Sequence, residues 1–177
     1  MTVVAVHLNP AHDFSKTPQV EVELVPGMGV VGDAHFGATV RHRSRVAADP
    51  TRPNLRQVHL LSVELLDEFR TGGYDVKPGD LGENVTTAGL DLHALPTGAM
   101  LRIGPCLLAV TGLRNPCRQI EAFRPGLLGQ VMRRDEHGLT EARAGVMAVV
   151  VEGGRIRAGD SIAAQVPPPP HTPLTRV

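Results

Sequence analysis

The sequence has no net charge, few lysines and no long apolar run. Its 177 residues include 18 lysine and arginine side chains and 18 acidic ones, and lysine occurs only at Lys16 and Lys77. A balanced charge gives no support to general binding of nucleic acid or of a membrane surface. No apolar stretch approaches the ~20 residues that a membrane-spanning helix needs. We therefore expect a soluble protein that acts neither on nucleic acid polymers nor at membranes.

Cysteine is also scarce, since only Cys106 and Cys117 occur, in very different contexts. Such a pair does not indicate the disulfide framework of a small secreted protein. Residues 1–7 lack the basic and long apolar regions of a signal peptide. We expect a cytoplasmic protein with reduced cysteines. Its length predicts one domain, over residues 1–165, followed by a flexible proline-rich tail over 166–177.

Short strands separated by glycine and proline dominate the pattern. The β-branched run Gly145–Val151 is typical of a central strand, and Ser62 is placed to cap a helix over Val63–Arg70. Two prolines predict that the aperiodic segment 38–56 is a fixed loop rather than a helix. The pattern as a whole predicts a mostly β fold, with a β-barrel and a few short helices rather than a βαβ sheet.

Cys117 ends the segment Arg114-Asn115-Pro116-Cys117, which follows the apolar run containing Cys106. The proline suits the first position of a helix, which would put Cys117 in the first turn, near free N–H groups. Those groups, with the flanking Arg114 and Arg118, favour the thiolate, the form that attacks electrophiles or binds metal. The alternative is a buried, inert thiol, the common fate of free cysteine and our interpretation of Cys106.

Three further segments carry polar residues that suit a ligand site. Asp33 and His35 lie between the glycines of segment 32–37, and Glu83-Asn84 ends a second glycine loop. Glycine lets the backbone approach a ligand, although Asp33 could equally tie its own turn together. The third segment is rich in arginine and suits a phosphate or similar anion, with a solvated basic loop as the alternative. Its anion-binding candidates are Arg41, Arg43, Arg45 and Arg56.

Taken together and in this order, the motifs resemble the MOSC domain family, named for the C-terminal domain of molybdenum cofactor sulfurases. The resemblance runs from about Val3 to Ala164 and is most specific at Arg114-Asn115-Pro116-Cys117. Its other parts are segments 32–37, 54–60, 78–85 and 98–104. The resemblance implies a mostly β, barrel-like fold. It also implies that Cys117 matches the family's invariant cysteine, which serves as a molybdenum ligand or carries sulfur.

The resemblance implies a molybdenum cofactor of the molybdopterin type, with Cys117 as the metal's protein ligand. The cofactor ends in a phosphate, which raises the weight of the arginine segment as an anion site. Asp33-His35 and Glu83-Asn84 would line the pocket, and His35 or Glu83 would move a proton during turnover. The predicted catalytic residues are Cys117, His35 and Glu83. The predicted cofactor-binding residues are Asp33, Arg41, Arg43, Arg45, Arg56, Asn84, Arg114 and Arg118.

The family supports two functions. The first is a molybdenum-dependent reductase of small N-hydroxylated compounds, such as hydroxylamino bases, hydroxylamines and amidoximes. Its electrons would come from a separate redox protein, because the chain has no flavin, haem or iron–sulfur signature. The second is a sulfur carrier or cofactor-modifying module that holds a persulfide on Cys117 without stably bound metal.

Other associations are weaker. Pyridoxal phosphate is implied only at the family level, because the full sulfurases attach a desulfurase domain that uses it. A zinc hydrolase is a remote third hypothesis, since the sequence has no CxxC pair and no HExxH motif. Exposed edges of the predicted barrel would allow a homodimer.

Overall fold

The computed structural model describes residues 1–41, 43–134 and 140–177, and the side chains of residues 43, 44, 134 and 140 fall outside that description. Within it, the elements follow in the order β1 (Thr2–Leu8), β2 (Thr17–Gln19), β3 (Glu21–Val25), β4 (Gly29–Val30), α1 (Arg43–Ala48), β5 (Val58–Ser62), α2 (Val63–Thr71), β6 (Val85–Ala88), β7 (Met100–Ile103), β8 (Cys106–Leu113), α3 (Arg118–Phe123), α4 (Leu127–Val131), β9 (Met132–Arg134), β10 (Thr140–Ala142), β11 (Val146–Glu152), β12 (Gly154–Arg157) and β13 (Ile162–Gln165). The prediction of a mostly β fold with few helices is confirmed.

The largest sheet has eight strands in the order β13-β7-β8-β11-β5-β6-β1-β2. Neighbours run antiparallel except β5 and β6, which are parallel because α2 returns the chain between them. The predicted closed barrel is not confirmed. Among the described residues, the start of β1 meets the chain before β13 through the Thr2–Ser161 bridge and flanking hydrogen bonds, not through a ladder.

The main hydrophobic core lies between this sheet and the smaller sheet β12-β3-β4. Alternate residues of β8 point into that core, as a strand with one buried face requires. Cys106 is one of them and is fully buried, which confirms its interpretation as a core residue. Leu24 and Ile156 contribute from the smaller sheet.

Helices cover the opposite face of the large sheet. Leu60 packs in the main core, whereas its neighbour Leu61 joins a second cluster with residues of α2, α3 and α4. The helix predicted over Val63–Arg70 is confirmed, and the Ser62 hydroxyl accepts a hydrogen bond from the backbone of Leu65 at 3.3 Å. None of the described helices has both the length and the apolar character that crossing a bilayer would demand.

The segment 38–56 contains helix α1, so its prediction as a loop without helix is wrong. Proline restricts its own backbone and that of the residue before it. Pro50 and Pro53 lie beyond the last residue of α1. The turn at Pro50 is closed by Asp49, whose side chain accepts hydrogen bonds from Thr51. The prolines therefore end the helix without preventing it.

The end of the predicted flexible tail is hydrogen-bonded to the domain. Thr175 accepts a backbone hydrogen bond from Leu113 at 2.8 Å, and Val177 donates one to Leu113 at 3.2 Å. Gly112 makes room for this contact, because a Cβ atom there would lie 2.4 Å from the Thr175 carbonyl oxygen. Gly112 and Leu113 are the last residues of β8, so the tail contacts the domain just before the segment 114–117. The domain boundary at residue 165 stays a prediction.

Candidate functional site

The floor of the site is a row of side chains on the helix-covered side of the large sheet. Asn84 donates its backbone N–H to His59, and its side-chain oxygen accepts the N–H of His59 in return, at 2.8 and 3.1 Å. Met147 on β11 pairs with His59 on β5. The two hydrogen bonds and the pairing of β5 with β11 therefore hold Asn84, His59 and Met147 side by side.

A cavity of about 700 Å³ lies over this floor. Its walls come from the segment after β1, from His35, from the arginine segment around α1 and from the cysteine segment after β8. Of the predicted site residues, the structure brings six to this wall: Cys117, His35, Arg45, Arg56, Asn84 and Arg114. Residues far apart in sequence thus meet at one concave site, the usual setting for binding and catalysis.

Cys117 is the N-cap residue of α3, with extended backbone angles of φ −135° and ψ 166°. The predicted helix start at Pro116 is therefore wrong by two residues, because the first turn begins with Arg118 and Cys117 lies just before it. The thiol is half-buried, and its Sγ lies 3.5 Å from Oε1 of Gln119. Cys117 is consequently accessible from the cavity, unlike Cys106.

Arg114 is a buried cation of the wall, with 8% of its surface exposed. Its guanidinium lies 5.7 Å from the centre of the Phe14 ring, and its Nη1 has no hydrogen-bond partner among the described residues. Burial lowers the pKa of Arg114, while Cys117, which also hydrogen-bonds to it, and Glu83 act in the opposite direction. Arginine stays charged in proteins, so this is a buried positive charge with a donor to spare.

Arg45, Arg52 and Arg56 extend the positive charge along the cavity wall. Burial, followed by the charges of Arg45 and Arg114, lowers the pKa of Arg56 to about 10. Like charges held together in this way favour an anionic ligand. The alternative of a wholly solvated basic loop does not describe Arg45 and Arg56, which are partly buried, whereas Arg52 is exposed.

The remaining predicted arginines lie elsewhere. Arg41 is exposed, and its guanidinium packs against Gly37 instead of lining the cavity. Arg118 is exposed and does not line the cavity either. The side chain of Arg43 lies outside the described part of the structure.

Asp33 was predicted to line the cavity, but it lies behind the cavity wall, where it accepts several hydrogen bonds. Its Oδ2 accepts from Lys16 Nζ, from Asn84 Nδ2 at 3.1 Å and from the backbone of Asn9 at 3.2 Å. Its Oδ1 lies 3.0 and 3.1 Å from the backbone nitrogen and Nδ1 of His35. Burial alone would raise the pKa of Asp33, but these bonds and the Lys16 charge hold it well below its usual range.

Glu83 is also absent from the cavity wall, contrary to its predicted place in the pocket. It is fully buried, and its Oε1 accepts hydrogen bonds from Gly79 N at 2.6 Å and Thr86 Oγ1 at 2.9 Å. Burial raises the pKa of its carboxyl group. Its predicted proton transfer to a cavity ligand would therefore need an intermediary group.

The sequence analysis did not identify Lys16, Phe14 or His59 as site residues. All three line the cavity. The His59 ring bonds to the carbonyl oxygen of Ala144 at 2.7 Å, and burial keeps its pKa well below the usual value. Lys16 carried one signal, the rarity of lysine in an arginine-rich chain. Nothing in the sequence placed it opposite Asp33.

His7 provides a test of the buried electrostatics behind the wall. Its ring is fully buried, and neither ring nitrogen has a partner among the described residues. Burial, and then the charge of Lys16, lower its pKa to about 4. The unfolded chain takes up this proton below about pH 6.5, so the folded state loses stability as the pH falls from there towards 4.

We expect the free energy of unfolding to fall by roughly 2 kcal/mol between pH 7 and pH 5 through His7 alone. Urea unfolding of the wild type and of His7→Phe at both pH values measures this. The variant should show a correspondingly smaller decrease. An identical decrease in both proteins would contradict the assignment.

Among the described residues, no group of three or more histidine, cysteine and acidic side chains is placed to hold a metal ion. A zinc site needs three or four protein ligands, so the zinc hydrolase hypothesis gains no support. A metal at Cys117 would need its other ligands from a cofactor.

Comparisons with known proteins agree with this architecture. The family model of the MOSC domain matches residues 32–163. The YuaD protein from Bacillus subtilis is similar in structure, with a TM-score of 0.73 and 26% identity over 93% of this chain and 96% of that chain. No curated protein matches the chain.

Two further solved structures share the fold at lower identity. YiiM from Escherichia coli has a TM-score of 0.62 and 20% identity, over 97% of this chain and 73% of its own. YiiM from Geobacillus stearothermophilus has a TM-score of 0.60 and 17% identity, over 93% and 74%. The fold is therefore shared with an existing group of proteins.

Proposed function

The chain belongs to the MOSC domain family, and from that premise we propose that its cavity binds a molybdenum cofactor of the molybdopterin type and reduces small N-hydroxylated compounds. The observation that carries the proposal is the Arg114 guanidinium, which is buried beside Cys117 with an unpartnered Nη1. A buried charged donor without a partner is costly unless a ligand completes it. An anionic ligand in the cavity, which Arg114 lines, would balance this positive charge.

The other residues of the wall fit such a cofactor. A volume of about 700 Å³ lies within the range of about 300–1,000 Å³ that is typical of ligand pockets. Arg45, Arg52 and Arg56 would hold the phosphate end, since guanidinium groups bind phosphate in a bidentate manner. Cys117 would be the protein ligand of the metal. When bound, the cofactor supplies two-electron and oxygen-atom transfer.

The chain's own side chains would orient the substrate. Gln119 offers an amide donor and acceptor to the cavity, and Phe14 and Met147 give it apolar surface. The Asn84 amide is instead engaged by His7, His59 and Asp33. His35, which is partly exposed and held by Asp33, can exchange protons with solvent. We propose a cytoplasmic location and a separate electron-donor protein as parts of the same hypothesis.

The activity test uses protein from a host that makes the cofactor, with hydroxylaminopurine and benzamidoxime as substrates and reduced methyl viologen as electron donor. The same protein from a host that cannot make the cofactor is the matched control. We expect the reduced product, an amine from hydroxylaminopurine and benzamidine from benzamidoxime, only with the first preparation, quantified by chromatography. Absence of both products with cofactor-loaded protein would contradict the reductase proposal.

The half-buried thiol of Cys117, open to the cavity beside Arg114, also favours a second candidate function. A persulfide anion on Cys117 would be stabilised by the same guanidinium. As a sulfur carrier, the purified chain should show the added mass of one sulfur atom. Cyanide should remove that mass, and Cys117→Ser should lack it.

A further inference from the structure

We propose that Lys16 is the proton donor of this cavity and delivers one of the two protons that reduction of an N-hydroxyl group consumes. The inference rests on the proposed reductase function and adds to it a residue that the motifs did not point to. Lys16 lines the same cavity as Cys117, although it comes from the segment between β1 and β2.

The position of Lys16 is fixed from both ends. Its backbone N–H donates to the Gly79 carbonyl oxygen at 2.8 Å, and the hydroxyl of the preceding Ser15 donates to Asp80 at 2.8 Å. Its side chain is 6% exposed and ends against Asp33 Oδ2. A lysine held in this way presents its ammonium group in a defined direction.

The Lys16 ammonium group has N–H donors that Asp33 does not use. An ammonium carries three N–H donors, and within the described residues Asp33 is its one hydrogen-bond acceptor. Asp33 is already saturated by Asn9, His35 and Asn84. The remaining N–H bonds of Lys16 are therefore available to a molecule in the cavity.

The other titratable side chains at the cavity or behind its wall are poorer proton donors. His12, which also lines the cavity, is exposed. The four arginines of the wall do not release a proton near neutral pH. The ring of His59 is engaged by the Ala144 carbonyl oxygen, and Glu83 lies behind the wall. His35 lies on a more exposed loop, with 32% of its side chain accessible. Lys16 combines burial, a fixed direction and the ability to lose a proton.

Burial and the neighbouring charges together set the pKa of Lys16. Burial, the largest influence, lowers its pKa, and the carboxylates of Asp33 and Glu83 limit the decrease. His7, which also faces this charge, is neutral above about pH 4. His35 shares Asp33 with Lys16 through the other carboxylate oxygen. A lysine in such a setting can give up a proton at a lower pH than an exposed one.

The reaction balances as R–NHOH + 2 e⁻ + 2 H⁺ → R–NH₂ + H₂O. The N–O bond breaks, the nitrogen is reduced, and the oxygen leaves as water. The electrons come from a reduced redox protein, or from reduced viologen in the assay. Lys16 supplies one proton to the oxygen and becomes a neutral amine, which regains a proton from cavity water. The second proton comes from solvent.

The test compares Lys16→Arg with Lys16→Met and with Lys77→Arg, the matched change at the only other lysine, which is exposed. Lys16→Arg keeps the charge opposite Asp33 but not the ability to release a proton. We expect kcat to fall about 100-fold or more in both Lys16 variants, with KM nearly unchanged, as loss of a general acid predicts. Lys77→Arg should match the wild type.

A second readout needs no activity. In the Lys77→Arg chain labelled with [¹⁵N]lysine and prepared without cofactor, Lys16 gives the only Nζ signal. We expect that signal to titrate below the ordinary lysine range.

Three outcomes overturn the inference. Full activity of Lys16→Arg means that Lys16 only balances the charge of Asp33. Titration of the Lys16 Nζ signal in the ordinary lysine range means that its ammonium group is not acidic enough to be the proton donor. A loss that appears in KM alone means that it binds the ligand. If the wild type itself makes no amine, the proposed function fails first and the role of Lys16 fails with it.

Discussion

Replacing Cys117 with serine is expected to reduce N-hydroxyl reduction by at least about 1,000-fold, because the ligand proposed for the metal is lost. A thiolate binds metal, whereas a serine hydroxyl remains protonated near neutral pH. Cys117 is half-buried, and its side chain makes no capping hydrogen bond to the first turn of α3. The exchange should therefore leave the fold intact, and circular dichroism and urea unfolding check this.

Cys106→Ala is the matched control, because it removes the chain's other thiol. Cys106 is fully buried in β8, so this change should cost stability through a small cavity and leave the reductase rate of the folded protein unchanged. Wild-type activity in Cys117→Ser would contradict the role of Cys117. Equal losses in both variants would point to folding instead of chemistry.

Replacing Asp33 with alanine is expected to lower the free energy of unfolding by roughly 3–5 kcal/mol, the cost of breaking a buried ion pair from one side. The change leaves the Lys16 ammonium without its acceptor. It also removes acceptors from Asn84 and from the backbone of His35. Urea unfolding at pH 7 measures the loss.

Asp13→Ala is the control for this prediction, since Asp13 lies at the same cavity but is exposed. Its removal should cost less than about 1 kcal/mol. Adding Lys16→Met to Asp33→Ala should cost less than the two single losses combined, because the uncompensated charge is then gone. Additive losses would show that the two side chains are not coupled.

The contribution of Asp33 also has a defined pH dependence. Its pKa is held well below the usual value in the folded state, so its contribution is fully present above about pH 4, the pKa range of an unfolded aspartate. It is lost as the pH falls further. The stability difference between the wild type and Asp33→Ala should therefore narrow only in acid.

The features that could be predicted from sequence are those set by local chemistry. Strand patterning gave the mostly β fold, the Ser62 cap marked α2, and the position of Cys106 in an apolar run indicated a core thiol. The segment 114–118 pointed to the site because it combines a thiol, two positive charges and a proline in five residues. Each of these signals lies within one short stretch of the chain.

The features that could not be predicted depend on distant contacts. Whether the curved sheet closes depends on how β1 meets the chain near Ser161, which no local pattern encodes. Asp33 and Glu83 are residue types that are common in catalytic sites. Their place behind the cavity wall depends on hydrogen bonds from Lys16 and Asn84 to Asp33 and from Gly79 to Glu83. Lys16 becomes notable only when β1, β6 and the segment 32–37 bring its partner to it.

The proposal that Cys117 and its arginines form a molybdenum-cofactor site is tested most directly by the metal content of the protein. Wild-type chain from a host that makes the cofactor would be analysed by elemental mass spectrometry beside Cys117→Ser. We predict close to one molybdenum per wild-type chain and a background level in the variant. Background molybdenum in folded wild-type protein would contradict the account.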